Sequence, residues 1–111
     1  METTRQQKIS RLIQKDLGVI FQQESRNQFD GALITVTKVQ ISKDLSVAKI
    51  YLSLFLTKDK PALLEKIRQH GREVRHLLSG KVHHQLRVMP ELHFFLDDSL
   101  DYIENIDQLL R

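Results

Sequence analysis

Between Val47 and Leu56 every second residue is apolar: Ala48, Ile50, Leu52, Leu54 and Leu56. A period of two is the signature of a half-buried strand and is incompatible with a helix. The preceding segment, Leu33 to Ile41, is rich in β-branched residues and reads as a second strand. Only Ser42-Lys43-Asp44-Leu45-Ser46 separates the two. That connection is too short for a crossover, so the strands pair antiparallel. A hairpin with one apolar face needs a layer to cover it, and the rest of the chain must supply that layer.

Helical periodicity lies on both sides of the hairpin. Ile9, Leu12, Ile13, Leu17, Ile20 and Phe21 mark an amphipathic helix over about Thr4 to Glu24. The polar run Ser25 to Gly31 then ends it with an Asp30-Gly31 turn. After the hairpin, Lys58 or Asp59 precedes Pro61, a residue suited to a first helical turn. Leu63, Leu64 and Ile67 continue that helix to Gly71, which breaks or kinks it. Val74, Leu77, Leu78, Val82 and Leu86 restart the pattern toward Arg87, with Ser79-Gly80 a second candidate irregularity. Pro90 stops the helix, and Leu92, Phe94 and Leu96 alternate as a third strand. Asp98 or Ser99 caps a short final helix, placed at 99–110. The result is one two-layer α+β domain over 1–111, ordered α-β-β-α-(kink)-α-β with a short C-terminal helix. This order matches the type II KH fold, an architecture that binds RNA, although order alone says little about function.

With 111 residues the chain buries about two-thirds of its unfolded surface, enough for one modest core. There are no cysteines, which removes disulfides, thiol catalysis and cysteine zinc sites and fits a reducing, cytoplasmic setting. No apolar run approaches the roughly 18 residues of a membrane span, and Met1 to Lys15 holds no signal-peptide stretch.

Net charge is +3, but it is unevenly placed. Residues 1–87 hold 16 Lys/Arg against 8 Asp/Glu, a balance of +8; residues 88–111 hold one Arg against six acids, a balance of −5. At about 100° per residue Lys8, Arg11 and Lys15 fall together opposite the first apolar stripe. Arg72, His76, His83 and Arg87 cluster in the same way further on, with Arg75 at the flank and Lys81 nearer the apolar side. Residues 66–87 carry six Lys/Arg against one acid, Glu73. Guanidinium forks suit phosphate, so this side is a candidate phosphate-binding face; the plain alternative is a solvated helix surface.

Other chemistry finds less support. Four of five histidines lie between His70 and His84, yet adjacent His83 and His84 point to different sides of a helix, and His76 and His83 stand two turns apart. Asp97, Asp98 and Asp101 sit where a helix begins, which the helix dipole favours without catalysis. There is no phosphate loop and no recognisable nucleophile arrangement. No cofactor and no enzymatic reaction is expected. The four glycines never stand three apart, so the GxxG clamp of ordinary KH domains is missing. Tyr51 and Phe55 share a strand face without an aromatic RNA-binding signature and are expected to pack or sit half-exposed.

Two segments carry a family likeness. Ile41-Ser42-Lys43-Asp44-Leu45-Ser46-Val47-Ala48-Lys49-Ile50-Tyr51-Leu52-Ser53 is similar to the S-x-D-L-x-x-A-x-V pattern of the ribosome-binding factor A family. Leu86-Arg87-Val88-Met89-Pro90-Glu91-Leu92-His93-Phe94-Phe95-Leu96-Asp97-Asp98-Ser99 is similar to its R-x-x-P-x-L-x-F-x-x-D-x-S pattern. The resemblance runs from about Arg5 to Leu110. It implies a type II KH-like domain with an Ala-x-Gly kink in place of GxxG; here Gln69-His70-Gly71 keeps the glycine and lacks the alanine. It also implies a non-catalytic assembly factor that binds 16S rRNA in immature 30S subunits, near the neck of the decoding region. Processing of the precursor's 5′ end, late maturation and growth in the cold come with it, as does the company of ribosomal proteins and an assembly GTPase. The chain is expected to be a monomer.

Charge clustering and resemblance together nominate Lys8, Arg11, Lys15, Lys43, Arg68, Arg72, Arg75, His83 and Arg87 as RNA-binding, with His70 and Gly71 at the kink. Pro90, Asp97 and Ser99 read as structural, setting the helix stop and the final cap. Two competing readings are an interaction module whose acidic tail binds a basic ribosomal protein, and a metal-dependent nuclease acting on the precursor.

Overall fold

The structure is a computed structural model that describes residues 3–86 and 88–97. Its elements are α1 (Thr4–Gln28), β1 (Leu33–Ile41), β2 (Val47–Phe55), α2 (Lys60–Gln69), α3 (Gly71–Val82) and β3 (Glu91–Leu96). The sheet order is β1-β2-β3, with β2 antiparallel to β1 and parallel to β3. Helices cover one face of this sheet, as the α+β, type II KH-like order requires. The expected final helix and Arg87 lie outside the described residues.

The hairpin forms as its period demands. Ala48, Ile50, Leu52 and Leu54 are buried together against the helices. Leu56 breaks the expectation: it is 80% exposed. The strand ends at Phe55, and Leu56 turns into the left-handed region (φ 58°), which takes its side chain out of the sheet's register. In β1 the apolar phase slips from Ile34 and Val36 to Val39 and Ile41. A bulge between Val36 and Lys38 absorbs the slip, so both apolar pairs reach the core. Gln14 on α1 donates to the carbonyls of Val36 and Thr37 there, at 3.0 and 3.4 Å.

α1 begins with a capping box between Thr3 and Gln6 and continues past Glu24 to Gln28. The run Ser25 to Gln28 is polar but not helix-averse, because Gln and Arg are good helix formers. Gln28 also donates to Glu24 one turn back, at 3.0 Å. Ser25 turns inward and its hydroxyl donates to the Ala32 carbonyl, tying the helix end to the entry of β1. Asp59 is the residue that caps α2, accepting from Ala62 N–H at 3.1 Å. α3 stops at Val82, so Pro90 is not the helix stop: it leads into β3 eight positions later. The Ser79-Gly80 pair produces no irregularity, since α3 passes through it.

The break between α2 and α3 is one residue wide. His70 leaves helical geometry (φ −92°, ψ 12°), its N–H shared between the carbonyls of Lys66 and Ile67. Its ring meets Lys66 O through Nδ1 at 2.8 Å and stands edge-on to Phe29, 5.6 Å between centroids. Gly71 has no positive φ, and a Cβ there would meet nothing within 4 Å. The kink therefore rests on His70 and not on glycine's freedom. Gly71→Ala is expected to leave the fold intact and raise stability by about 0.4–1 kcal/mol through the unfolded chain. A thermal melt would check this, and a loss of stability would contradict it.

The core joins both layers around three phenylalanines. Phe21 is fully buried, with Phe29 at 6.0 Å and Phe94 at 6.1 Å between ring centroids, tilted and edge-on. Ile13, Leu17, Ile50, Leu52, Ile67, Leu78 and Val82 pack around them.

Candidate nucleic-acid interface

Helix side chains bond to carbonyls on both outer strands of the sheet, and two of those side chains are cations. On the β1 edge Gln6 donates to Ile41 O at 3.0 Å, pinning the start of α1 beside the 42–46 loop. On the β3 edge Arg68 donates twice to Phe94 O (3.1 and 2.7 Å). Arg75 donates to Pro90 O (3.1 Å) and Met89 O (2.9 Å). Two expected RNA-binding arginines thus spend part of their forks on the backbone, a structural use that charge counting could not reveal. Glu91 N–H donates to Ser46 O at 2.8 Å, so the approach to β3 also meets that loop.

These contacts define two ends. At one lie Asp30, the 56–59 loop and the α2–α3 break, joined by Lys66–Asp30 at 3.4 Å and Gln28–Glu73 at 2.8 Å. From there α3 runs toward the other end, because Arg68 meets β3 at Phe94 and Arg75 meets it near Pro90. The second end gathers Lys8 on early α1, Lys43 in the loop, Lys81 at the end of α3, and His83 and His84. All five are exposed. Arg72, Arg75, His76, Ser79 and His83 line one concavity, floored by Leu86 and Met89. Arg11 and Lys15 are exposed further along α1. Among the described residues Lys8, Arg11, Lys15, Lys43 and Arg72 form no ion pair, so their charge faces solvent.

The kink residues do not join this surface. His70 and Gly71 sit at the opposite end, with the His70 ring packed on Phe29. Two further lysines do join it: Lys38 and Lys49 line a second concavity with Gln6, Ser42 and Lys43. The polar phase of the strands is the signal for them, since both occupy positions opposite the apolar series. His83 and His84 correct another expectation. Their rings lie together, 3.8 Å between centroids, because the helix ends at Val82 and the helical wheel no longer separates them. The described residues contain no group of three or more side chains able to hold a metal ion.

Lys43 is held by an ordered loop. Asp44 accepts from the hydroxyls of Ser46 and Ser42, both at 2.7 Å, and from Ser46 N–H at 3.1 Å. Ser42 in turn receives Ser46 and Val47 N–H, and Leu45 takes a positive φ of 63° to close the turn. The Ser46 hydroxyl, then that of Ser42, hold the Asp44 carboxyl at about 2, below its usual 3.8. A depressed carboxylate stabilises the loop fully above the ordinary value and loses that contribution as pH falls toward 2. A carboxyl-carbon NMR titration is expected to place the Asp44 midpoint near 2; one at the ordinary 3.8 would contradict the loop's geometry.

The described residues form a three-stranded, three-helix α+β domain with exposed cations on α1, the 42–46 loop and α3. The sequence profile of "Ribosome-binding factor A" matches residues 5–110, and the chain belongs to that family. A ribosome-binding factor A from Cytophaga hutchinsonii is 47% identical over 110 residues, covering 99% of this chain and 83% of its own. Another from Flavobacterium johnsoniae is 50% identical over 111 residues, covering 99% and 85%. Among solved structures, ribosome-binding factor A from Thermus thermophilus superposes with a TM-score of 0.69 at 23% identity, over 82% of this chain and 94% of that one. A homology model of the Thermus thermophilus factor, fitted into a cryo-EM map of a 30S complex, gives 0.62 at 26% identity over 78% and 89%. No helix among the described residues is long and apolar enough to cross a membrane.

Proposed function

We propose that this chain binds immature 30S subunits by docking its basic end on 16S rRNA, without catalysis. It thereby assists late maturation and processing of the precursor's 5′ end. The observation that carries the reading is the set of exposed cations, without an ion pair among the described residues, on α1, the 42–46 loop and the concavity along α3. Family membership and the 30S complex of the Thermus relative support the same partner. The contact set is Lys8, Arg11, Lys15, Lys43, Arg72, Arg75, His83 and Arg87, with Lys38 and Lys49 added. Arg68 serves mainly to hold β3. Phosphate and shape are read, since among the described residues no Phe, Tyr or Trp lines the concavity at Arg72. The factor works in the cytoplasm as a monomer, supports growth in the cold, and acts beside ribosomal proteins and an assembly GTPase.

Co-sedimentation with immature and mature small subunits tests this directly. Enrichment on the immature particles is the expected result. Preference for mature ribosomes would replace assembly with a role in translation or hibernation, and precursor trimming by the pure protein with magnesium would make it a nuclease.

A further inference from the structure

The outer edge of β1 is answered by side chains along its second half and open along its first. Leu52 O accepts from Asp97 N–H on the β3 side, so the Leu52 backbone points away from β1. Its cross-strand partner Val36, and Ile34 two residues earlier, therefore turn their own N–H and C=O groups out of the sheet. Val36 O takes the Gln14 amide, and Ile41 O takes that of Gln6. Among the described residues no side chain answers Ile34 N–H, Ile34 O or Val36 N–H. Proteins usually guard such an edge with lysine, proline or a bulge. Here the bulge and Lys38 come only after Val36, and Leu33-Ile34-Thr35-Val36 has neither charge nor proline.

A groove of about 500 Å³ runs along this open stretch. Every residue from Gly31 to Val36 lines it, whichever sheet face its side chain takes, so one wall is the strand's edge itself. The other wall is α1, which runs antiparallel to β1: Gln6 meets Ile41, Gln14 meets Val36 and Ser25 meets Ala32. That wall presents Gln14, Gly18, Gln22 and Arg26 at four-residue spacing, with Ile34 abreast of the turn from Gly18 to Gln22. Packing does not require glycine at position 18, since a Cβ there would meet nothing within 4 Å. Glycine is also the poorest interior helix former after proline, so its effect is to leave the groove open beside Ile34. Leu33 and Leu56 at the rim are 53% and 80% exposed. Arg26 is the one ionisable side chain among the described lining residues, and it forms no ion pair among them.

We propose that this groove takes an extended peptide segment of a partner protein, which adds to β1 as a fourth strand, sets an apolar side chain over Gly18 and brings a carboxylate to Arg26. Peptide amides recur at the spacing of Ile34 and Val36, whereas a phosphodiester chain would find a single cation. A second copy of this chain offers only the same short edge. Four residues a side, about 13 Å of strand, fall well short of the ~1,000 Å² that a stable interface buries. A peptide suits the site because backbone bonds hold it and pockets for alternate side chains select it. The groove shares no residue with the proposed RNA contact set, so the inference stands apart from the RNA reading.

The isotope-labelled full chain is titrated with acetyl-Thr-Val-Thr-Leu-Thr-Asp-amide and followed by NMR. The amides of Gly31 to Val36 and of Gln14 to Arg26 are expected to shift with a Kd of about 1 mM, the range of a short unconstrained strand. Those of Lys43 to Val47 and Arg72 to Ser79 stay in place. N-methylating one set of the peptide's alternate amides should abolish binding and methylating the other set should leave it, because only one edge of an added strand faces β1. Gly18→Leu is expected to keep or raise the melting temperature, as leucine favours the helix, and to weaken binding by at least about tenfold by filling the groove. Arg26→Glu should weaken it about threefold, and lysine in place of the peptide's aspartate should restore it. Equal binding by both methylated peptides, an unaffected Gly18→Leu, or no shift at several millimolar peptide overturns the proposal. So does dimerisation of the free chain through these same amides, or the same shifts on adding oligouridine.

Discussion

Replacing Arg72 and Lys43 together by glutamate is expected to weaken binding to precursor small-subunit RNA by about 100-fold at moderate salt. Each reversal removes one charge-assisted phosphate contact, worth about 1.5–3 kcal/mol, and tenfold in affinity is about 1.4 kcal/mol. The two residues stand on different elements, α3 and the 42–46 loop, and neither holds the fold through an ion pair. The slope of log affinity against log salt should flatten by about 0.7–0.9 for each phosphate left without its cation. Lys58→Glu changes net charge in the same direction in the loop before α2, outside the concavity that Arg72 lines. It is expected to leave affinity within about twofold, as a rim charge away from the contact should. If Lys58→Glu weakens binding as much as the others, the interface is diffuse charge and not a site. Arg75 is unsuited to such a pair. Its loss would free the carbonyls of Met89 and Pro90, mixing a folding defect with a binding one.

Truncation of Phe21 is the most damaging single change expected for the fold. Its ring is fully buried and touches both Phe29, at the end of α1, and Phe94 on β3. Phe21→Ala removes the ring that joins α1 to Phe29 at its end and to Phe94 on β3, and leaves a cavity between them. Such a change costs about 3–5 kcal/mol, against a total of about 5–15 kcal/mol for a domain of this kind. Urea unfolding should show the midpoint falling sharply with the slope unchanged. A loss under about 1 kcal/mol would mean that the core collapses onto the space and that the three rings do not act as a unit.

Much of this architecture is legible in the residues because it rests on short-range periodicity. The bounds of β1 and the start of β2 follow from alternation and β-branching, and the start of α1 from its apolar stripe. Where sequence and structure part, a local rule meets a tertiary one. The polar run Ser25 to Gln28 suggests an early end to α1, yet Ser25 satisfies a distant carbonyl at Ala32 and the helix continues. Pro90 reads as a helix stop, but α3 has already ended at Val82 and the proline serves the entry to β3. The histidine pair separates only on a helical wheel that does not extend to it.

The basic site shows the same division. Lys8, Arg11, Lys15, Lys43 and Arg72 are legible from charge and resemblance, and the structure leaves them exposed and without an ion pair among the described residues. Arg68 and Arg75 belong to the same charge count, but long-range contacts of 26 and 14–15 residues turn them partly to structural use. Lys38 and Lys49 escape a sequence reading because, on an isolated strand, a polar position says only that it faces away from the core.

By itself the amino-acid order determined the hairpin, the three amphipathic helices and the imbalance of charge, because a repeat of two or about 3.6 residues depends on neighbours in the chain. Tertiary structure alone decided which end of the domain collects the cations, which arginines close the sheet's edge and which histidine makes the kink. Those outcomes depend on carbonyls and rings dozens of residues away, whose positions exist only once both layers have packed.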